Sequence, residues 1–142
     1  MNSVEIEETH AVNHQLLRER VERGKRPGTR EFVALIDGME AGLLIFEHFP
    51  KTSLGFVYEI YVLEKFRAMG IGTQLLWLAE TVARDSACET LRLTARSLDQ
   101  EFINDVKLMS WYDRNGFIRD AHGSSGMEKN LASGFTLSGE IG

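Results

Sequence analysis

Several classes of protein are excluded by what this sequence has little of. One cysteine, Cys88, among 142 residues cannot form an internal disulfide and suits a reducing compartment. No uninterrupted apolar run approaches the ~18–20 residues of a membrane-spanning helix. The opening MNSVEIEETH is acidic and polar, without the basic and apolar regions of a secretory leader, so the expected location is cytoplasmic, with no membrane partner. Positive charge is in deficit: 16 Lys+Arg against 21 Asp+Glu leave a net charge of −5, the opposite of the basic footprint of a general nucleic-acid binder. Metal ligands are sparse as well. His10 and His14 are four apart, but no glutamate follows His10 as a zinc-protease motif requires, and His48 and His122 are scattered. No metal is expected.

What is present suits one globular domain. Apolar residues make up 43% of the chain and charged residues 26%, enough to bury a core, and the length fits a single domain of ~100–200 residues. The expected domain covers residues 1–131. Residues 132–142 are Gly/Ser-rich and read as a loose tail, although Phe135, Leu137 and Ile141 keep open an extra docked strand.

Val4 to Glu8 alternates as a half-buried strand does. Leu16, Leu17 and Val21 predict a helix over Val12 to Glu22, stopped by Gly24 and Pro27-Gly28. Two strands, Glu31 to Asp37 and Met39 to Phe49, meet at Asp37-Gly38, a strong hairpin signal. Phe56 to Leu63 is a third β-branched and aromatic run, so an antiparallel meander is expected. Then the period changes. Leu75, Leu76, Ala79, Val82 and Ala83 predict an amphipathic helix over Thr73 to Ser86. A strand over Thr90 to Ala95, a helix over Asp105 to Arg114 ended by Asn115-Gly116, and two short strands, Phe117 to Asp120 and Gly126 to Leu131, complete the order. Phe56 to Ala95 is thus a βαβ unit, which makes a parallel pair within a mixed α/β (α+β) fold. One stretch opposes the overall acidity: Arg18, Arg20, Arg23, Lys25, Arg26 and Arg30 outnumber Glu19 and Glu22. It reads as a solvated helix end or as a contact for an anionic partner.

The most informative segment joins the third long strand to the second helix: Arg67, Ala68, Met69, Gly70, Ile71, Gly72 and Thr73. A glycine-bearing loop entering a helix N-terminus presents free N–H groups and the positive end of the helix dipole to an anion. Alone, a plain tight turn explains it equally well. A dinucleotide fingerprint needs glycine where Leu75 stands, and a Walker loop needs a lysine that follows neither Gly70 nor Gly72.

The loop does resemble the R-x-x-G-x-G motif of the GCN5-related N-acetyltransferase (GNAT) family. Glu59-Ile60-Tyr61-Val62 precedes it at the family's usual step from Val62 to Arg67. Trp111 to Phe117 is similar to the family's later Tyr-x-x-x-Gly-Phe signature, and Met127 to Leu131 looks like its closing strand. The resemblance implies a six- to seven-stranded, mostly antiparallel sheet with flanking helices and a central parallel pair that splays around acetyl-CoA. By the same resemblance, the loop from Arg67 to Thr73 would hold the pyrophosphate through backbone amides, and Ile60, Tyr61 and Val62 would pair with the pantetheine arm like an added strand.

Two residues are candidates for the acid–base chemistry. Tyr112 matches the family tyrosine near the coenzyme sulfur. A phenol with a reference pKa of about 10 can donate to a departing thiolate of about 8.5, or the ring could simply pack the short helix. Glu59 is a carboxylate inside an apolar strand, costly there unless it faces a cavity or a cation. It reads as base, as substrate anchor or as one half of a salt bridge. There are also departures from the family pattern. Ala68 stands where glycine is common, which is tolerable only at negative φ. Asp105 replaces an asparagine, and the connection Arg96 to Asn104 looks long.

The resemblance implies an acetyl-CoA-dependent N-acetyltransferase that uses direct attack in a ternary complex. The acceptor would be a small-molecule, protein or peptide amine, with a cationic one compatible with Glu59. The alternative is a catalytically silent acetyl-CoA-binding or interaction module of the same fold. A homodimer stays open, with no surface to assign it to.

Overall fold

The computed structural model describes residues 3–9, 11–120 and 125–131. The expected tail, its docked-strand alternative, His10 and His122 lie outside them. Strands β1 (Val4–Glu8), β2 (Thr29–Ile36), β3 (Met39–Phe49) and β4 (Leu54–Val62) form the antiparallel meander. β5 (Thr90–Thr94) then joins β4 in parallel, and β7 (Gly126–Asn130) and β6 (Ile118–Arg119) complete a seven-stranded sheet of order β1-β2-β3-β4-β5-β7-β6. The architecture is the one expected.

Helix α1 (Gln15–Gly24) starts later than its apolar spacing predicts. The amides of Asn13 and His14 donate to the Glu40 carboxylate, at 2.6 Å for His14, and His14 Nδ1 accepts the Leu16 N–H at 3.2 Å. A carboxylate from the β2–β3 hairpin therefore sets the helix start, which intrinsic propensity could not reveal.

Helix α2 (Ile71–Asp85) buries Leu75, Leu76, Ala79 and Ala83 against the sheet. It sits close because Gly42 leaves room: a Cβ there would stand 3.1 Å from the Tyr61 carbonyl and 3.2 Å from Leu75 Cδ1. Helix α3 (Asp105–Arg114) has the expected limits. The Asn104 side chain accepts the Lys107 N–H at 2.9 Å, and Gly116 takes φ +94° just beyond the end. The expected strand over Phe117 to Asp120 shrinks to two residues, with Phe117 fully buried instead.

Two irregularities shape β4. The register with β3 shifts so that Ile45 faces Glu59 and Phe46 faces Val57, leaving Tyr58 as a bulge. On the other side, pairing with β5 stops at Val57–Leu93. The parallel pair is hydrogen-bonded over its first half and open over its second.

Candidate active site

The open half of β4 borders a cavity of about 360 Å³, within the range of small-ligand sites. Leu63 donates its N–H to Ala41 of β3 at 2.8 Å. By the alternation of an antiparallel ladder, the polar backbone groups of Ile60 and Val62 face away from β3, into the gap beside β5.

One end of the cavity is the loop into α2. Gly70 is the N-cap residue at φ +81°, with no side-chain cap. Gln74 is the first amide to bond back, to the Gly70 carbonyl at 3.1 Å. The amides of Ile71, Gly72 and Thr73 are therefore left without a helical acceptor. Gly72 is informative because no described neighbour demands glycine there: among the described residues an added Cβ would meet only Val62 Cγ2, at 3.9 Å. Its bare backbone lines the cavity and leaves room for a close approach from that side.

Three expectations for this loop need correction. Ala68 has φ +64°, so it does not keep the negative φ expected of an alanine there. The surrounding turn imposes a left-handed conformation on an L-residue, at about 1 kcal/mol. The Arg67 amide is already bonded to the Glu64 carbonyl at 3.3 Å. Met69 is 40% exposed and does not line the cavity, whereas Ala68, Gly70, Ile71, Gly72 and Thr73 do.

The Arg67 side chain is also engaged. Its Nε donates to the Val62 carbonyl at 2.9 Å and a terminal nitrogen to Asp99 at 2.6 Å. Asp99 sits in the connection that had looked long. That connection is tied down: the Asp105 carboxylate accepts the Ser97 N–H at 2.7 Å and the Gln100 side-chain amide at 2.8 Å. These hydrogen bonds hold the Asp105 carboxyl below its ordinary range. Phe102 and Ile103 from the same connection line the cavity.

Glu59 and Tyr112 both reach the cavity. Glu59 is paired with Arg20 Nε, and both side chains are 15% exposed. Burial pushes the Glu59 carboxyl up, with Arg20 and Arg23 offsetting only part of the rise. The same burial drives the Tyr112 phenol far above its usual range. The Tyr112 ring packs edge-on against Trp111 and Phe117, and its hydroxyl makes no hydrogen bond among the described residues.

The basic stretch is therefore not a uniformly solvated face. Arg20 turns onto Glu59, Arg30 forms a two-point pair with Glu8 at 2.8 Å, and Arg26 lies over the Tyr58 ring. Sequence reasoning missed Arg20 and Asp99 as site residues because each is defined by a partner far along the chain. The one available signal was the excess of arginine itself. Among the described residues, no group of three or more His, Cys, Asp or Glu side chains could hold a metal.

Comparison with known proteins gives a consistent result. The model of the acetyltransferase (GNAT) family matches residues 2–117. No curated protein matches the sequence. Among solved structures, the PaiA N-acetyltransferase of Thermoplasma acidophilum in complex with coenzyme A is 24% identical, with a TM-score of 0.58 over 82% of this chain and 69% of that one. The IAA acetyltransferase of Bacillus cereus is 17% identical, with a TM-score of 0.63 over 90% and 99%. A GNAT-family acetyltransferase of Staphylococcus aureus is 14% identical, with a TM-score of 0.63 over 91% and 99%. The chain spans 66% of nourseothricin acetyltransferase, to which it is 24% identical. At these identities the likeness is one of fold.

Proposed function

This chain belongs to the acetyltransferase (GNAT) family, and from that premise we propose that it transfers an acetyl group from acetyl-CoA to an amine by direct attack in a ternary complex. One observation carries the reading. The backbone edge at Ile60 and Val62 that β3 and β5 leave unpaired, with the Val62 carbonyl held by Arg67, and the amides of Ile71, Gly72 and Thr73 that lack a helical acceptor border one cavity. An extended molecule with amides along its length and a diphosphate at one end fits that arrangement of donors and acceptors. The bare Cα of Gly72 lets the diphosphate approach.

The coenzyme supplies an acyl group already activated as a thioester. The residues of the chain do the rest. Glu59 receives the proton of the attacking amine, directly or through a water. The Val62 N–H donates to the acyl oxygen as charge develops on it. As the new N–C bond forms and the C–S bond breaks, the Tyr112 hydroxyl protonates the departing sulfur. A phenol kept neutral by burial suits that task.

The alternative of a silent binding module would find its grounds in the departures from the family pattern at Asp105 and in the connection from Arg96 to Asn104. Their hydrogen bonds to each other account for both as loop scaffolding, which supports the enzyme. The test is to mix the protein with acetyl-CoA and a set of amines and follow free thiol. Saturable release with at least one acceptor is expected. Tight coenzyme binding without release for any amine would favour the module.

A further inference from the structure

Helix α1 lies over the same sheet face as Glu59 and Tyr61. Its Gly24 is so close to Ile45, the β3 partner of Glu59, that a Cβ would stand 2.8 Å from Ile45 Cδ1. From this helix and its exit, arginines recur at every third position. Arg20 pairs with Glu59 and stacks 4.2 Å over the Tyr61 ring. Arg23 acts on Glu59 through its charge and has no hydrogen bond or ion pair among the described residues. Arg26 lies 5.3 Å over the Tyr58 ring. Arg67 stands 5.5 Å from the Tyr61 ring as well.

The carboxylates of this region are already engaged. Glu59 is bound by Arg20, Asp99 by Arg67, and Glu47 accepts the Tyr58 hydroxyl at 2.8 Å. A polycationic acceptor would have to displace a guanidinium to reach Glu59 or Asp99. It would also meet Arg67 on the cavity wall and the charges of Arg20 and Arg23 beside Glu59. Arg20 itself is only partly used. Its Nε holds Glu59, while its terminal nitrogens donate to no described group and its plane is held by the Tyr61 ring. A planar fork with free donors, fixed in orientation beside a carboxylate, matches a carboxylate lying beside an ammonium group.

We infer that the acceptor is an amine carrying a carboxylate a few bonds from its nitrogen, of the amino-acid class, with Glu59 facing the nitrogen and Arg20 the carboxylate. The inference rests on the acetyl-transfer reading and replaces the expectation of a cationic acceptor. Arg20 is then the specificity-determining residue, and Arg23 adds long-range attraction.

The experiment follows thiol release from acetyl-CoA with free amino acids, their methyl esters, the matching decarboxylated amines and spermidine. Calorimetry of coenzyme A binding runs alongside. The expected result on the unaltered protein is a kcat/KM for at least one amino acid about 10-fold or more above that for its ester and its decarboxylated amine, the usual scale of one charge-assisted contact. Arg20→Gln should raise the KM for the amino acid and close the gap to the ester, with coenzyme affinity unchanged. Lys25→Gln, at the end of α1 and paired with Glu22 at 3.5 Å, should leave all three quantities as they are. Equal use of esters or spermidine overturns the inference and leaves acetyl transfer standing. Coenzyme binding with no thiol release for any acceptor overturns both in favour of the silent module. A failure to bind coenzyme removes the family reading itself.

Discussion

Arg67 and Asp99 meet in the cavity lining, with a guanidinium nitrogen 2.6 Å from the carboxylate. The Arg67 side chain is only 10% exposed, so it ties the end of β4 to the β5–α3 connection rather than reaching outward for a phosphate. Hydrogen bonding to Arg67 holds the Asp99 carboxyl below its usual range. Arg67→Ala should free that connection and weaken coenzyme binding by about 10-fold, the equivalent of roughly one hydrogen bond to a charged group. Calorimetry reads the affinity and limited proteolysis within residues 96–104 reads the loosening. Unchanged affinity would show that the bridge does not shape the site.

Ala68 and Gly70 both adopt left-handed backbone, at φ +64° and +81°. Glycine enters that region freely and alanine only at a cost of about 1 kcal/mol. Ala68→Gly should therefore raise stability by about 0.5–1 kcal/mol after the loss of unfolded-state restriction, a Tm increase of about 2–3 °C for a domain of this size. Gly70→Ala should destabilise by a similar amount for reasons of φ alone, since an added Cβ meets nothing within 4 Å among the described residues. Thermal melts of both variants check the pair.

Tyr112→Phe should lower kcat by ~100-fold or more, the scale of a lost general acid, and leave coenzyme affinity nearly unchanged. Because burial raises the phenol pKa, Tyr112 stays protonated throughout the neutral and mildly alkaline range. Any alkaline loss of activity there must arise from another group and should persist in the variant. Steady-state rates across pH would expose a wrong assignment if the variant turned over as fast as the parent.

Glu59 predicts the acidic limb. Its carboxyl is raised above 4.5 by burial, with Arg20 opposing the rise. The base form should therefore appear at higher pH than for an ordinary carboxylate. Glu59→Gln should abolish that limb along with most of the activity. Arg20→Gln should shift it upward by removing the opposing charge. Stability has a defined sign as well. The folded state holds this proton to higher pH than the unfolded chain does, so the contribution is complete below the unfolded pKa. It is lost as pH rises through the folded one. Denaturant titrations above pH 4.5 should show a shallower fall with pH in Glu59→Gln than in the parent.

Local chemistry accounts for how much of this was readable in advance. Asp37-Gly38 turned the hairpin where expected because both residues adopt positive φ, +50° and +83°. Helix α3 matched its expected limits because Asn104 caps one end and Gly116 closes the other. The start of α1 was misjudged because Glu40, on another element, captures the amides of Asn13 and His14. Ala68 was misjudged because its neighbours, and not its own preference, decide its φ. Tyr112 and Glu59 both border the cavity, but the partner that redefines Glu59 lies 39 positions away.

Residue order by itself determined the sequence of strands and helices, the glycine loop entering α2 and the change of period after β4. Each depends on contacts or conformations within a few residues. Only tertiary structure decided which charges meet: Arg20 with Glu59 and Arg67 with Asp99. Such pairs exist because strand register and helix placement bring distant side chains within a few ångströms, and no short-range preference encodes that distance. The splay after Val57 belongs to the same class. It is a property of two strands diverging, and neither strand shows it alone.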